Sequence, residues 1–273
     1  MKSHVLPTLT LSLAALLPLS YSADAATTAF NFFHTSFAAN TGIDDSTENT
    51  DALNAVAGLD SPNWYNLGIA GSGGPTGTDS GDGIGVQWWS SNAFNAGSEG
   101  VTAGGDASQQ VFRMYLDDGD GGTSYAAADG YGVTISVTGL SAYLASQSAT
   151  SYTVTLFLST DSSDFTQPEI RDGALTGSNN VTDLSLLGSP TVNVLGDGTQ
   201  PVPSGAQSNT GGTRGVASLT GLTADEITIA MPTNAGGGVR GSIAGFAITA
   251  VPEPSSTMML GLAGVGFILR RRR

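Results

Sequence analysis

The chain has 273 residues, no cysteine and a formal net charge of −14. Without cysteine there is no disulfide, no thiolate metal site and no cysteine nucleophile. Between Ala26 and Ala250 four arginines stand against 21 carboxylates, which excludes a nucleic-acid surface, since that needs basic patches.

The 38 glycines, with abundant Ser, Thr, Asn and Asp, belong to many short strands joined by turns rather than to helices. At the N-terminus Lys2 precedes an apolar run, Val5 to Leu19, and then Ala23-Asp24-Ala25. That order is a secretory signal peptide of residues 1–25, with Ala23 and Ala25 as the small residues signal peptidase reads, cut before Ala26. About 15 apolar residues interrupted by Pro7 and Pro18 are few for a membrane span. The expectation is a domain that folds outside the cytoplasm.

Residues 26–250 read as one all-β domain. Strands are expected at 28–37, 64–70, 84–89, 110–116, 131–138, 152–158, 190–195, 213–219, 227–231 and 242–251. The clearest alternates Val133, Ile135 and Val137 with Thr134, Ser136 and Thr138, one set for the core and the other for an exposed Thr/Ser face. Residues 40–60 suit a short helix or a loop, and 139–148 a helical turn. The turn-rich stretches 70–83 and 173–212 read as exposed loops. About ten strands at this spacing predict an antiparallel two-sheet sandwich of jelly-roll type.

Within the domain, Asp117, Asp118 and Asp120 lie among glycines. Such a loop offers the oxygens that Ca²⁺ takes, without EF-hand spacing. The same residues suit a hairpin turn, and both readings stand. Asp79–Asp82 and Asp161–Asp164 are weaker versions. Trp88-Trp89 is the candidate for stacking on a sugar; neighbouring strand residues face opposite ways, so one ring belongs to the core. Trp64-Tyr65 behaves alike. His34 is the one imidazole outside the leader, and no Gly-x-Ser-x-Gly elbow accompanies it. The domain's glutamates, Glu48, Glu99, Glu169 and Glu226, form no paired array of the kind glycoside hydrolysis uses. A non-catalytic protein is expected.

The chain closes on Pro252-Glu253-Pro254, a run of 12 apolar or glycine residues from Met258 to Leu269, and Arg270, Arg271, Arg272 and Arg273. As a helix the run is about 18 Å long against a hydrocarbon core of about 30 Å. It spans only as a short transmembrane helix, with thinned lipid and snorkelling arginines. The arginines stay on the cytoplasmic side and place the domain on the other. Residues 251–273 resemble the PEP-CTERM sorting signal of exported bacterial proteins. The resemblance implies an exosortase that recognises Pro252, Glu253 and Pro254 and removes the tail after a transient stay in the inner membrane. It also implies delivery to the cell surface or an extracellular polysaccharide matrix. The role expected is structural or adhesive, with a secreted carbohydrate-binding module as the alternative and a glycoside hydrolase behind it.

Overall fold

The computed structural model describes residues 25–34, 51–60, 62–69, 76–95, 111–118, 130–176, 180–195, 213–233 and 239–252. They belong to one compact unit, Asp24–Pro252. The signal-peptide run, Asp120, Glu253, Pro254, the apolar run 258–269 and Arg270, Arg271, Arg272 and Arg273 lie outside the described residues. Among the described residues no helix is long and apolar enough to cross a membrane.

The protein is mostly β, with two six-stranded sheets. Sheet 1 runs in the order β12 (Val192–Val194), β13 (Thr213–Leu222), β8 (Ala149–Thr160), β16 (Gly245–Pro252), β1 (Thr27–His34) and β2 (Asn63–Ile69). Sheet 2 runs β11 (Leu186–Gly188), β10 (Glu169–Asp172), β14 (Ile227–Pro232), β7 (Tyr131–Thr138), β4 (Ile84–Ser90) and β3 (Thr76–Gly81). Two small ribbons pair β5 (Asn92–Asn95) with β6 (Met114–Asp117), and β9 (Asp164–Phe165) with β15 (Val239–Arg240). Helices among the described residues include α1 (Asp51–Ala57) and α2 (Leu140–Ser146).

One apolar cluster draws on both sheets. Phe30, Phe32, Val154, Leu156, Phe246 and Ile248 come from sheet 1, and Ile84, Val86, Trp88, Val133, Ile135 and Ile229 from sheet 2. Phe32 and Trp88 meet edge to face, with centroids 5.6 Å apart. The other face of sheet 1 is covered too: Ala29, Trp64, Phe157 and Ala247 pack with Leu53 of α1, Phe112 and Tyr115. Burial on both faces explains why β8 carries the unbroken run Leu156-Phe157-Leu158, each fully buried.

Three expectations are corrected. The sheets are not purely antiparallel: β1 and β2 pair in parallel. Parallel neighbours need a long crossover, and the segment between β1 and β2, which contains α1, supplies it. The stretch 70–83 holds an edge strand, β3, which hydrogen-bonds to β4 along its length. Its sequence, Thr-Gly-Thr-Asp-Ser-Gly, has no apolar alternation because the partner strand, not a buried face, holds it in place. Finally, the Thr/Ser face of β7 is not exposed: Thr134 and Ser136 are buried. Residues 173–175 lie over it, with the Leu175 N–H donating to Ser136 Oγ at 2.9 Å and Thr228 Oγ1 donating to the Gly173 carbonyl at 2.8 Å.

The β3–β4 hairpin turns on Asp82 and Gly83, with φ of 51° and 80°. Successive positive φ values match the twist of the flanking strands, and Asp-Gly is a preferred pair for them. The helix α2 starts after Gly139 at φ 79°, where a Cβ would come within 2.8 Å of the Gly83 carbonyl oxygen. The turn and the helix therefore lie against each other at one end of the sheets.

Candidate functional site

Asp117 closes β6 and Asp118 follows it; both are buried. Asp117 Oδ1 accepts from Ser242 Oγ at 3.0 Å, and Asp118 Oδ2 accepts from the Gly241 N–H at 3.0 Å. Arg240 Nη1 lies 3.7 Å from Asp117 and 3.6 Å from Asp118, and its Nε lies 3.6 Å from Asp161. Three carboxylates thus gather around one guanidinium. Burial pushes Asp117 up to about 7; Arg240 pulls it down, and the neighbouring Asp118 pushes it up again. The Asp117 and Asp118 carboxylates are excluded from water while Asp161 is exposed, and the arginine stands where a cation would. The structure brings Asp117 and Asp118 together and leaves Asp120 outside the described residues. Among the described residues no group of three or more His, Cys, Asp or Glu is arranged to hold a metal ion.

Arg240, Ser242 and Asp161 reach this cluster from segments far apart in sequence, so no local motif announces them. A usable signal was composition. With four arginines among 21 carboxylates, a partly buried arginine in such a domain readily meets an acid, although the buried Arg214 donates to the Thr160 and Thr213 carbonyls. Arg171 repeats the pattern: Nη2 is 2.6 Å from Glu169 Oε2, and Tyr131 donates to the same oxygen at 2.7 Å.

Trp88 and Trp89 face opposite ways. Trp88 is in the core between Phe32 and the strand β3, where a Cβ on Gly77 would run into the indole. Trp89 is half-buried on the outer side of sheet 2, opposite Thr134 of β7. On that side a groove of about 240 Å³ is lined by Thr78, Asp79, Gln87, Ser136 and Thr138 among others, none of them aromatic. In the second pair, Trp64 is buried against Phe157, and Tyr65 is half-buried. His34 is the last residue of β1. Of the domain's four glutamates, Glu48 and Glu99 lie outside the described residues.

A second cleft, about 340 Å³, opens where β1 begins and β16 ends. Ala26, Thr28, Asn63, Asp82, Tyr143 and Gln147 line it. Asp82 accepts from Thr28 Oγ1 at 2.7 Å, from Tyr65 Oη at 2.8 Å and from Asn63 Nδ2 at 3.2 Å. Burial raises its carboxyl, and these three bonds more than offset that, so it stands below the usual carboxylate value. Tyr143 is pushed up, chiefly by burial. In the sequence, Asp82 was legible as a turn residue. Its place between β1, β2 and α2 was not.

The strand β16 ends at Pro252, the first residue of Pro-Glu-Pro. It is a central strand, paired with β8 on one side and β1 on the other. The domain therefore runs into the terminal segment with no linker. Comparison with family models identifies residues 250–273 as a PEP-CTERM protein-sorting motif. That motif marks an exported protein, sorted through a membrane-anchored intermediate and processed by an exosortase. Comparison with curated proteins found no match, and comparison with solved structures found none either.

Proposed function

We propose that this chain is a surface or extracellular-matrix protein with a structural or adhesive role. Its β domain, a sandwich of jelly-roll type, is the cargo, and its C-terminal segment is the address. The observation that carries the reading is the join at β16. Residues Ala250 to Pro252 belong both to the central strand and to the sorting motif. Whatever is delivered must therefore be the folded domain itself, with its last strand kept.

The test is intact mass and fractionation. Protein recovered from cells and from medium, in a host with an exosortase, is expected to lose residues 1–25 and the arginine tail. Glu253→Ala is expected to hold the full tail in the membrane fraction. Retention of the tail in the wild-type released protein overturns the reading.

A second reading, carbohydrate binding, is favoured by Trp89 on the outer side of sheet 2, beside a groove rich in hydroxyls, with the Gln87 amide and the Asp79 carboxylate. It expects retention on a polysaccharide gel that Trp89→Ala and Gln87→Ala each weaken. No retention by the wild type removes it.

A further inference from the structure

The register of β1 on β16 sets Ala26 beside the end of the last strand. Thr27 pairs with Thr249, and the Ala26 carbonyl accepts both the Ala250 N–H at 2.9 Å and Tyr143 Oη at 3.0 Å. Ala26 is thus held by two donors and lines the cleft that contains Asp82. We propose that this cleft is the docking site for the α-ammonium group that leader removal creates at Ala26, with Asp82 as its counter-ion.

Three observations support it. First, Asp82 is a carboxylate held by three neutral donors, Thr28, Asn63 and Tyr65, and no Lys, Arg or His lines the cleft. A carboxylate accepts about four hydrogen bonds, so one position is left for a charged donor. Second, Ala26, Thr28 and Asp82 line the same cleft. Thr28 bonds Asp82 at 2.7 Å, and a step of two residues, roughly 7 Å, is one that a bridging water closes. The Ser146 hydroxyl and the Gln147 amide at the end of α2 add acceptors to the same cleft. Third, Lys2 is the only lysine. Once the leader is gone, the α-amine is the one primary amine in the molecule.

The proposal rests on the cut before Ala26. In the uncut chain that nitrogen is an uncharged amide; cleavage turns it into a cation beside a waiting anion, so leader removal tightens the end of the sheet where the sorting motif begins. The titratable groups facing the amine are Asp82 from the hairpin, Tyr143 from α2 and Tyr65 from β2, which bonds Asp82. An ion pair there raises the amine above its ordinary value. Its stabilisation is complete below about pH 7.7, the ordinary α-amine value, and is lost as pH rises through the raised one.

The experiment uses the full chain exported with its own leader. Intact mass first establishes the start. Trace acetylation of the single amine, read by mass as a function of pH, then gives its titration midpoint. We expect a midpoint about one pH unit above the ordinary range of roughly 7.7–8.0. Asp82→Asn, which keeps a side chain at home in the positive-φ turn, is expected to return it to the ordinary range. A chain that starts at Ala25 instead, with the domain unchanged, is expected to do the same. An ordinary midpoint in the wild type, or one that Asp82→Asn leaves raised, overturns the docking. A start other than Ala26 also overturns it, and lays the fault on the leader reading rather than on the cleft.

Discussion

Thr27 and Thr249 face each other across the β1–β16 ladder with their hydroxyl oxygens 3.0 Å apart. The sorting motif starts one residue beyond Thr249. The first strand of the domain therefore clamps the last strand immediately before the segment that is processed. Phe30 and Phe246, stacked with centroids 4.8 Å apart, continue the clamp inward.

Processing must spare this ladder. A chain ending at Pro254 is expected to melt within a few degrees of the full chain. A chain ending at Ala244, which lacks β16, is expected to show no cooperative thermal transition. It loses the ladders to both β8 and β1, and with them the buried Phe246 and Ile248. Circular dichroism melts on both truncations decide it.

The two tryptophans should separate cleanly in stability. Trp88→Ala is expected to cost about 3–5 kcal/mol, the usual range for emptying a large aromatic site. Gly77→Ala is expected to cost about 1–3 kcal/mol, because the added methyl runs into a ring that has no room to move. Trp89→Ala, half-buried on the outer side, should cost less than either. Urea unfolding of the three variants checks the order, and a Trp89→Ala cost equal to that of Trp88→Ala would contradict the assignment of faces.

Asp117 and Asp82 pull the pH profile in opposite directions. Asp117 is raised to about 7 in the folded state, by burial first. Its contribution is fully present below the ordinary aspartate value, near 3.8, and is lost as pH rises toward 7. Asp82 is lowered, so its contribution is present above that ordinary value and is lost as pH falls through the folded one. The melting temperature should therefore peak on the acid side, at about pH 4–5, rather than near neutrality. Asp117→Asn is expected to flatten the decline between pH 4 and 7 and to leave the acid limb unchanged.

Arg240 is the charge that offsets the burial of Asp117 inside the protein. Arg240→Met removes it while keeping much of the volume. The expected loss is about 3–5 kcal/mol at pH 8, where Asp117 must be charged without its cationic partner. The loss should be smaller at pH 5, where Asp117 takes up a proton instead. Chemical denaturation at the two pH values measures it; an equal loss at both would show that the arginine acts through packing alone.

Some strands could be read directly and others could not. The alternation predicted for 131–138 coincides with β7, and 227–231 falls within β14. There, side chains that alternate in chemistry also alternate between core and cover. β3, β10 and β11 had no such mark: they are edge or near-edge strands, short and poor in apolar alternation, and they form because a neighbour offers a ladder. The burial of Thr134 and Ser136 was hidden for a related reason. Their cover, residues 173–175, is bound by hydrogen bonds from a distant loop, not by an apolar stripe.

The sequence by itself determined the address, the strand-rich class and the scarcity of cations. These are local or compositional: Pro-Glu-Pro, a short apolar run and arginines act by their order along the chain, and periodicity of two is written in neighbouring residues. Only the tertiary structure decided that Arg240 meets Asp117, Asp118 and Asp161, that β1 joins β2 in parallel, and that Ala26 lines a cleft with Asp82. Each of these relations joins residues far apart in the chain. Their energies depend on distance and on exclusion from water, and both exist only once the sheets have closed on their core.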